Sequence, residues 1–218
     1  MSYILNIETA TKNCSISIAK QGETLLCKEM AEQGYSHAEK LHVFIAEALQ
    51  ELQIDFSDLS AIAVSQGPGS YTGLRIGVSA AKGLCYALDI PLIAIDTLEV
   101  LAAQLSISEG LIVPMIDARR MEVYNAVFDK SYQKIRDTKA EIITEESFSD
   151  LEGTIHLIGD GALKCADILK DARFVYYPEN TYPSAKEMSL LSFEKHKKSD
   201  TVDVAYFEPF YLKDFMIK

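Results

Sequence analysis

The run Gly67-Pro68-Gly69-Ser70-Tyr71-Thr72-Gly73 follows an apolar stretch, Leu59 to Val64, and opens a long helical pattern. A glycine-rich turn between a strand and a helix N-terminus leaves N–H groups free beside the positive end of the helix dipole. That is the usual way to cradle a phosphate or another anion. Groups that would act on a bound anion are harder to find. A P-loop requires Gly-x-x-x-x-Gly-Lys-Ser/Thr, whereas Leu74 and Arg75 follow Gly73 here. A hydrolase elbow requires Gly-x-Ser-x-Gly, and the neighbours of Ser70 do not fit that spacing. The histidines are His37, His42, His156 and His196. On a helix, His37 and His42 point about 140° apart and cannot share a metal. His37 keeps step with Leu41 and Phe44 and reads as a structural histidine. Asp96 and Asp117 end strands, where catalytic acids often sit, but alone each reads as a cap or turn residue.

The cysteines, Cys14, Cys27, Cys85 and Cys165, lie far apart with no Cys-x-x-Cys and read as buried thiols in a reducing compartment. The chain has 218 residues, 48% hydrophobic and 24% charged, enough for a real core in one large domain or two small ones. Its formal net charge of −11 makes it a poor binder of nucleic acid by itself. If RNA is involved, another subunit is expected to hold it. The N-terminus lacks a basic, apolar signal pattern, and no apolar run reaches the ~18 residues of a membrane span. A cytoplasmic protein without a membrane partner is expected.

The elements that must position the glycine turn can be read from periodicity. Tyr3–Ile7 is a short apolar strand. Asn13–Ala19 alternates with period two, Gln21-Gly22 turns the chain, and Glu23–Met30 returns. Ser36 with Glu39 forms a capping box for a helix that places Leu41, Phe44, Ile45, Ala48 and Leu52 on one face. The strand Leu59–Val64, the glycine turn and a helix over Thr72–Leu88 follow, then the strand Leu92–Ile95 and a short helix, Leu98–Leu105. Farther on, Leu111–Ile116 and Val123–Phe128 form a hairpin around Asp117-Ala118-Arg119-Arg120-Met121. A strand near Ile135–Ile143, a helix at Glu145–Leu151, the strand His156–Ile158, a second glycine turn at Gly159-Asp160-Gly161, a helix at Ala162–Leu169 and an amphipathic helix at Ser184–Lys198 complete the reading. We expect an α/β protein of two packed lobes, 1–108 and 109–218, with 207–218 packing back on the first.

The Thr72–Leu88 helix carries Leu74, Val78, Ala81, Cys85 and Leu88 on one stripe, and Gly73, Gly77, Ala80, Leu84 and Ala87 on another. Glycine costs roughly 1 kcal/mol against alanine inside a helix. Gly73, Gly77 and Gly83 therefore imply that something approaches the backbone closely. Three candidates stand open: a part of the chain itself, a helix of another subunit, or a nucleotide.

Glu8-Thr9-Ala10-Thr11, Ser36-His37-Ala38-Glu39-Lys40-Leu41, Gly67 to Gly77, Ala81-Lys82-Gly83 and Asp117 to Tyr124 occur in an order that resembles the bacterial TsaB (YeaZ) family. The resemblance is strong over 1–130 and looser afterwards. One departure is Met121, where the family usually has glycine, which makes that turn less permissive. The resemblance implies a two-lobed actin/Hsp70/sugar-kinase-like (ASKHA) fold. It also implies a non-catalytic paralogue of TsaD that supports transfer of threonylcarbamoyl to adenosine 37 of tRNAs reading codons that start with A. The implied partners are a TsaD catalytic subunit, a TsaE ATPase and a second copy in a homodimer, with tRNA held only through the complex. TsaD-like subunits carry a metal-binding His-x-x-x-His after the strand that follows the glycine-turn helix. Thr97 and Leu101 stand there in this chain, so no metal is expected. The chain is expected to have no catalytic residues and no cofactor of its own, with ATP or ADP bound only in the complex. A vestigial nucleotide cleft would involve Glu8, Thr9, Thr11, Gly67, Gly69, Ser70, Thr72, Gly159 and Gly161. The subunit interface would use Leu41, Ile45, Gly73, Gly77, Ala80, Leu84, Tyr86 and Ala87. The alternative is an active ATPase or small-molecule kinase of the same superfold. Against it, Thr9-Ala10 lacks the glycine that lets a hairpin wrap a phosphate. A zinc-dependent (glyco)peptidase lacks its ligand pair.

Overall fold

A computed structural model of the protein describes residues 3–31 and 37–212. The chain divides into two compact units, Met1–Val100 with Ser184–Lys218, and Leu101–Pro183. The sequence suggests a division at 108/109. Instead the chain returns to the first unit at Ser184, because that segment covers a sheet face that would otherwise lie bare.

The first unit is built on a five-stranded sheet. Strands β1 (Tyr3–Glu8), β2 (Cys14–Lys20) and β3 (Glu23–Met30) form an antiparallel meander. Strand β4 (Leu59–Gly67) pairs parallel to β1, and β5 (Leu92–Asp96) parallel to β4. Helix α1 (His37–Leu52) joins β3 to β4, and α2 (Tyr71–Leu88) joins β4 to β5. The order is therefore β3-β2-β1-β4-β5. The Ser36 cap expected for α1 lies outside the described residues.

Alternation along the strands sorts two faces. Leu5, Ile7, Ile62, Val64 and Leu92 pack with Leu41, Phe44, Ile45 and Ala48 of α1 and with Val78, Ala81 and Cys85 of α2. Ile4, Ala61, Ala63, Ile93 and Ile95 face the other way, against Ala185 and Met188. The last helix among the described residues, Met188–Lys197, belongs to this second layer. It starts later than the expected Ser184, since Ala185 N–H donates to Ser15 Oγ at 2.9 Å and Ser17 Oγ–H donates to Ala185 O at 2.6 Å. Each fully buried Leu or Ile contributes roughly 1.5–3 kcal/mol. Val202 N–H then donates to Leu92 O at 2.9 Å, so the tail covers the outer edge of β5.

Helix α3 (Thr97–Ala102) runs across the division between the units and is shorter than the expected Leu98–Leu105. The second unit repeats the strand pattern of the first. Strands β6 (Leu111–Asp117), β7 (Glu122–Asp129) and β8 (Lys134–Ile142) are an antiparallel meander. Strand β9 (Ile155–Ile158) pairs parallel to β6, and β10 (Phe174–Tyr177) parallel to β9. The helices have shrunk. The expected helix at Glu145–Leu151 is a series of turns closed by i→i+3 bonds, because Phe148 is buried with a φ of 65° that no right-handed helix accepts. Helix α4 covers only Asp160–Lys164, and turns follow it in place of the expected helix to Leu169. Strand β10, four residues long, carries no period long enough to expect. Helix α5 is the Met188–Lys197 helix of the first unit. No helix among the described residues is long and apolar enough to cross a membrane.

Candidate functional site

The glycine turn joins β4 to α2, and Ser70 caps the helix by accepting from Gly73 N–H at 3.3 Å. The turn is occupied by the chain itself. Ser70 N–H donates to Ala10 O at 2.6 Å, and Thr9 Oγ1–H donates to Gly73 O at 2.8 Å. A Cβ on Gly69 would stand 2.3 Å from Ala10 O, one on Gly73 2.1 Å from Thr9 O, and one on Gly77 2.2 Å from Thr9 Oγ1. No real Cβ comes that close, so these glycines are required by Thr9 and Ala10. Gly67 N–H donates to Thr97 Oγ1 at 3.1 Å, and the φ of Gly67 is 115°. On its outer side a Cβ would lie 2.6 Å from Phe210 O. The N–H groups of Gly67, Ser70 and Gly73, which a phosphate would need, already have partners.

Glu8 ends β1 beneath this turn and is fully buried. Its Oε1 accepts Ala10 N–H at 2.5 Å. Burial pushes its carboxyl up to about 7, with the Ala10 N–H and the nearby Ser65 hydroxyl opposing the rise. Glu8 Oε2 and Ser65 Oγ have no hydrogen bond among the described residues. Thr11 O is bonded by His37 Nε2 at 2.7 Å, and Thr11 Oγ1 accepts Asn13 N–H at 3.4 Å. His37 thus pins the loop after β1, as its place on the buried side of α1 suggests. Thr72 is exposed at the first turn of α2.

The positions where a TsaD-like subunit would carry its histidines are occupied structurally. Thr97 is buried and bonds Gly67, and Leu101 is buried. Asp96 Oδ1 accepts Leu98 N–H at 2.8 Å, as a cap does. No group of three or more His, Cys, Asp or Glu side chains among the described residues could hold a metal ion.

In the second unit the glycines again serve the chain. A Cβ on Gly159, whose φ is 105°, would lie 2.3 Å from Met115 O, and one on Gly161 2.9 Å from the same oxygen. Asp117 Oδ1 accepts Arg119 N–H at 2.8 Å and pairs with Lys164. The left-handed residues of this turn are Arg119 and Arg120, with φ of 70° and 54°. Met121 is not among the positive-φ residues, so the glycine that the resemblance leads one to expect there is not demanded.

The expected subunit interface is corrected in part. Leu41 and Ile45 lie in the core at 0% and 2% exposure, and Gly73 and Gly77 are buried against Thr9. None of the four can meet another chain. Ala80 and Leu84 are half-buried, whereas Ala87 is exposed and Tyr86 is 87% exposed. Gly83 differs from the other helix glycines: nothing lies within 4 Å of where its Cβ would be.

Sequence reasoning left Lys82 and Arg75 without roles. Lys82 Nζ donates to Ala205 O at 3.1 Å and Phe207 O at 2.9 Å. Arg75 Nε–H donates to Tyr211 Oη at 3.3 Å and stacks over Tyr71. Together they strap residues 205–211 along α2, above a cavity of about 300 Å³ lined by Val78, Ser79 and Pro209 among others. Helical periodicity cannot reveal Ala205, Phe207 and Tyr211 as partners, since they lie more than a hundred residues away.

A family model described as TsaD, tRNA N6-adenosine threonylcarbamoyltransferase, matches residues 29–214. The chain belongs to the TsaD family. Its full-length likeness within that family is to TsaB proteins. The tRNA threonylcarbamoyladenosine biosynthesis protein TsaB of Escherichia coli is 29% identical over 97% of this chain and 94% of its own length. TsaB of Bacillus subtilis is 38% identical over 57% of this chain and 54% of its own length. The tRNA N6-adenosine threonylcarbamoyltransferase of Bacillus anthracis is 36% identical, but over 43% of this chain and 32% of its own length. YeaZ from Pseudomonas aeruginosa shares the fold, with a TM-score of 0.81, 24% identity and coverage of 97% and 100% of the two chains. The ethanolamine utilization protein EutJ from Carboxydothermus hydrogenoformans shares it more distantly, with a TM-score of 0.54, 10% identity and coverage of 87% and 89%. The two sheets of this TsaD-family chain, β3-β2-β1-β4-β5 and β10-β9-β6-β7-β8, are those of an ASKHA-type α/β fold.

Proposed function

We propose that this chain is a non-catalytic, cytoplasmic subunit of the assembly that forms N6-threonylcarbamoyladenosine at adenosine 37 of tRNAs reading codons that start with A. A TsaD-type partner carries the metal and performs the transfer, a TsaE-type ATPase joins them, and the tRNA is held by the complex. The observation that carries this reading is the filled glycine turn: Thr9 and Ala10 sit where an anion would, in a chain that matches TsaB of Escherichia coli over 97% of its length. Thr97 and Leu101 at the histidine positions support it, since leucine has no ligand atom and neutral threonine is a poor ligand.

The partner docks on the exposed sides of α1 and α2. Val43 is 45% exposed and Tyr86 87% exposed, and Ala87 and the open Gly83 allow close backbone approach. The same surface serves a homodimer, because a paralogue presents a matching two-fold patch. ATP or ADP binds only once the complex has formed.

The test is reconstitution. Threonylcarbamoyladenosine formation on tRNA is measured with a TsaD-type transferase and a TsaE-type ATPase, with and without this chain, beside ATP titration of the chain alone. Activity that depends on the chain, with no ATP turnover by the chain itself, is expected. Micromolar ATP binding with turnover by the isolated chain would establish the kinase-like alternative.

A further inference from the structure

The turn between β6 and β7 is built more elaborately than a connection requires. Its tip consists of Arg119 and Arg120, consecutive residues with φ of 70° and 54°. Ala118 N–H donates to Glu122 O and Glu122 N–H to Arg119 O, so residues 119–121 form the loop, and a positive φ there favours glycine or asparagine over a longer side chain. The strained pair is held by a scaffold of its own. Asp117 Oδ1 accepts Arg119 N–H, and Lys164 matches that carboxylate while donating to Glu122 O at 2.7 Å. Asp160 Oδ1 accepts Asp117 N–H at 2.9 Å. The neighbouring acids are thereby tied to the turn, while both arginines are exposed and neither guanidinium has a hydrogen bond or ion pair among the described residues. Nothing in the packing of this unit uses them.

We propose that Arg119 and Arg120 form a phosphate-binding prong that grips the backbone of the RNA substrate once the complex has assembled. This rests on the reading above that the substrate is a tRNA. A guanidinium fork matches phosphate oxygens bidentately. Phosphate contacts of this kind fix the register of an RNA and carry no sequence information. The net charge of −11 does not forbid it, since exposed charges are screened beyond ~8 Å at physiological salt. A tip that presents two cations therefore acts locally, as a small increment to a site formed mainly by another subunit. It does not make the isolated chain an RNA-binding protein.

The experiment replaces the pair in the assembled complex. Arg119→Asn with Arg120→Gly removes both charges and installs residues that accept a positive φ, so the variant folds at least as well as the parent. Arg119→Lys with Arg120→Lys keeps the charges. The affinity for a tRNA transcript is measured from about 50 to 200 mM salt, and assembly with the transferase is followed by size exclusion. Loss of two phosphate contacts makes the slope of log K against log salt shallower by about 2, and weakens binding roughly 10- to 100-fold at 0.1 M. The lysine pair keeps the parent slope. An unchanged slope in the Asn-Gly variant overturns the prong. Loss of assembly with the transferase, rather than of tRNA affinity, also overturns it and assigns the arginines to an acidic protein surface. If the parent chain itself neither assembles nor raises tRNA affinity, the functional reading fails first and the prong falls with it.

Discussion

Glu8 puts a carboxyl at the end of a strand and closes it in. At the end of a strand beside a parallel neighbour, a carboxylate is well placed to meet a ligand. Here one of its oxygens accepts Ala10 N–H, and the side chain is closed off from solvent. Burial raises its pKa from 4.5 to about 7. The folded state then holds this proton more tightly than the unfolded state does. The stabilisation is fully present below about pH 4.5, falls as pH rises, and is gone above about 7. Over that window the loss amounts to roughly 3 kcal/mol. Glu8→Gln keeps an oxygen for Ala10 N–H and removes the proton. Urea melts at pH 5 and pH 8 are expected to show a smaller fall in stability with pH for the variant, by up to that amount. An identical pH dependence in the two proteins would show that Glu8 is not the titrating group.

Helix α2 carries three glycines that look alike in sequence and differ in what they meet. Gly73 lies against Thr9 O and Gly77 against Thr9 Oγ1, but Gly83 faces open space. Gly73→Ala is expected to cost about 3 kcal/mol or more, because the atom it strikes is backbone and cannot swing aside. Gly83→Ala is expected to stabilise the isolated chain by about 1 kcal/mol through helix propensity alone. Thermal melts of both variants decide the matter, and a stable Gly73→Ala protein would contradict the geometry at the turn. The same helix holds the C-terminal strap through Lys82. Lys82→Met removes the donor to Ala205 O and Phe207 O and is expected to cost about 1–2 kcal/mol, toward the low side because the amine is half exposed. Faster hydrogen exchange confined to 205–211 would mark the loss. Unchanged exchange there would mean that Phe207, packed on the core, holds the strap without the lysine.

At the scale of the whole molecule, two sheets of the same strand order carry very different helices. The first unit keeps α1 and α2 at full length, and the second is reduced to turns and α4. Long, partly exposed helices are thus found where a partner is proposed to dock. Val43→Glu combined with Tyr86→Ala changes exposed side chains that support no core, so the melting temperature is expected to stay within a few degrees. Affinity for the transferase partner is expected to fall at least tenfold, about 1.4 kcal/mol, since exposed aromatic residues tend to be the anchors of an interface. Size exclusion and calorimetry of the pair provide the measurement. Undiminished assembly would place the docking surface elsewhere.

The order of elements in the first unit follows from local pattern. Period two in Asn13–Ala19, the helical stripe Leu41, Phe44, Ile45 and Ala48, and the glycine turn before α2 each lie within a short window, where side-chain direction depends only on backbone period. The family was legible for the same reason: its motifs are contiguous runs. Distant contacts decided the rest. Whether Gly73 and Gly77 face another subunit, a ligand or their own chain depends on Thr9, more than sixty residues away. Phe148 prevents the helix that its neighbours favour, because it is buried with its backbone in a left-handed conformation. Ser184 stays out of the following helix to bond Glu29, and Ala185 to bond Ser15 and Ser17, since a sheet buried on one face still needs a cover on the other. Periodicity tells a residue which way to point, but only the folded chain determines what it meets there.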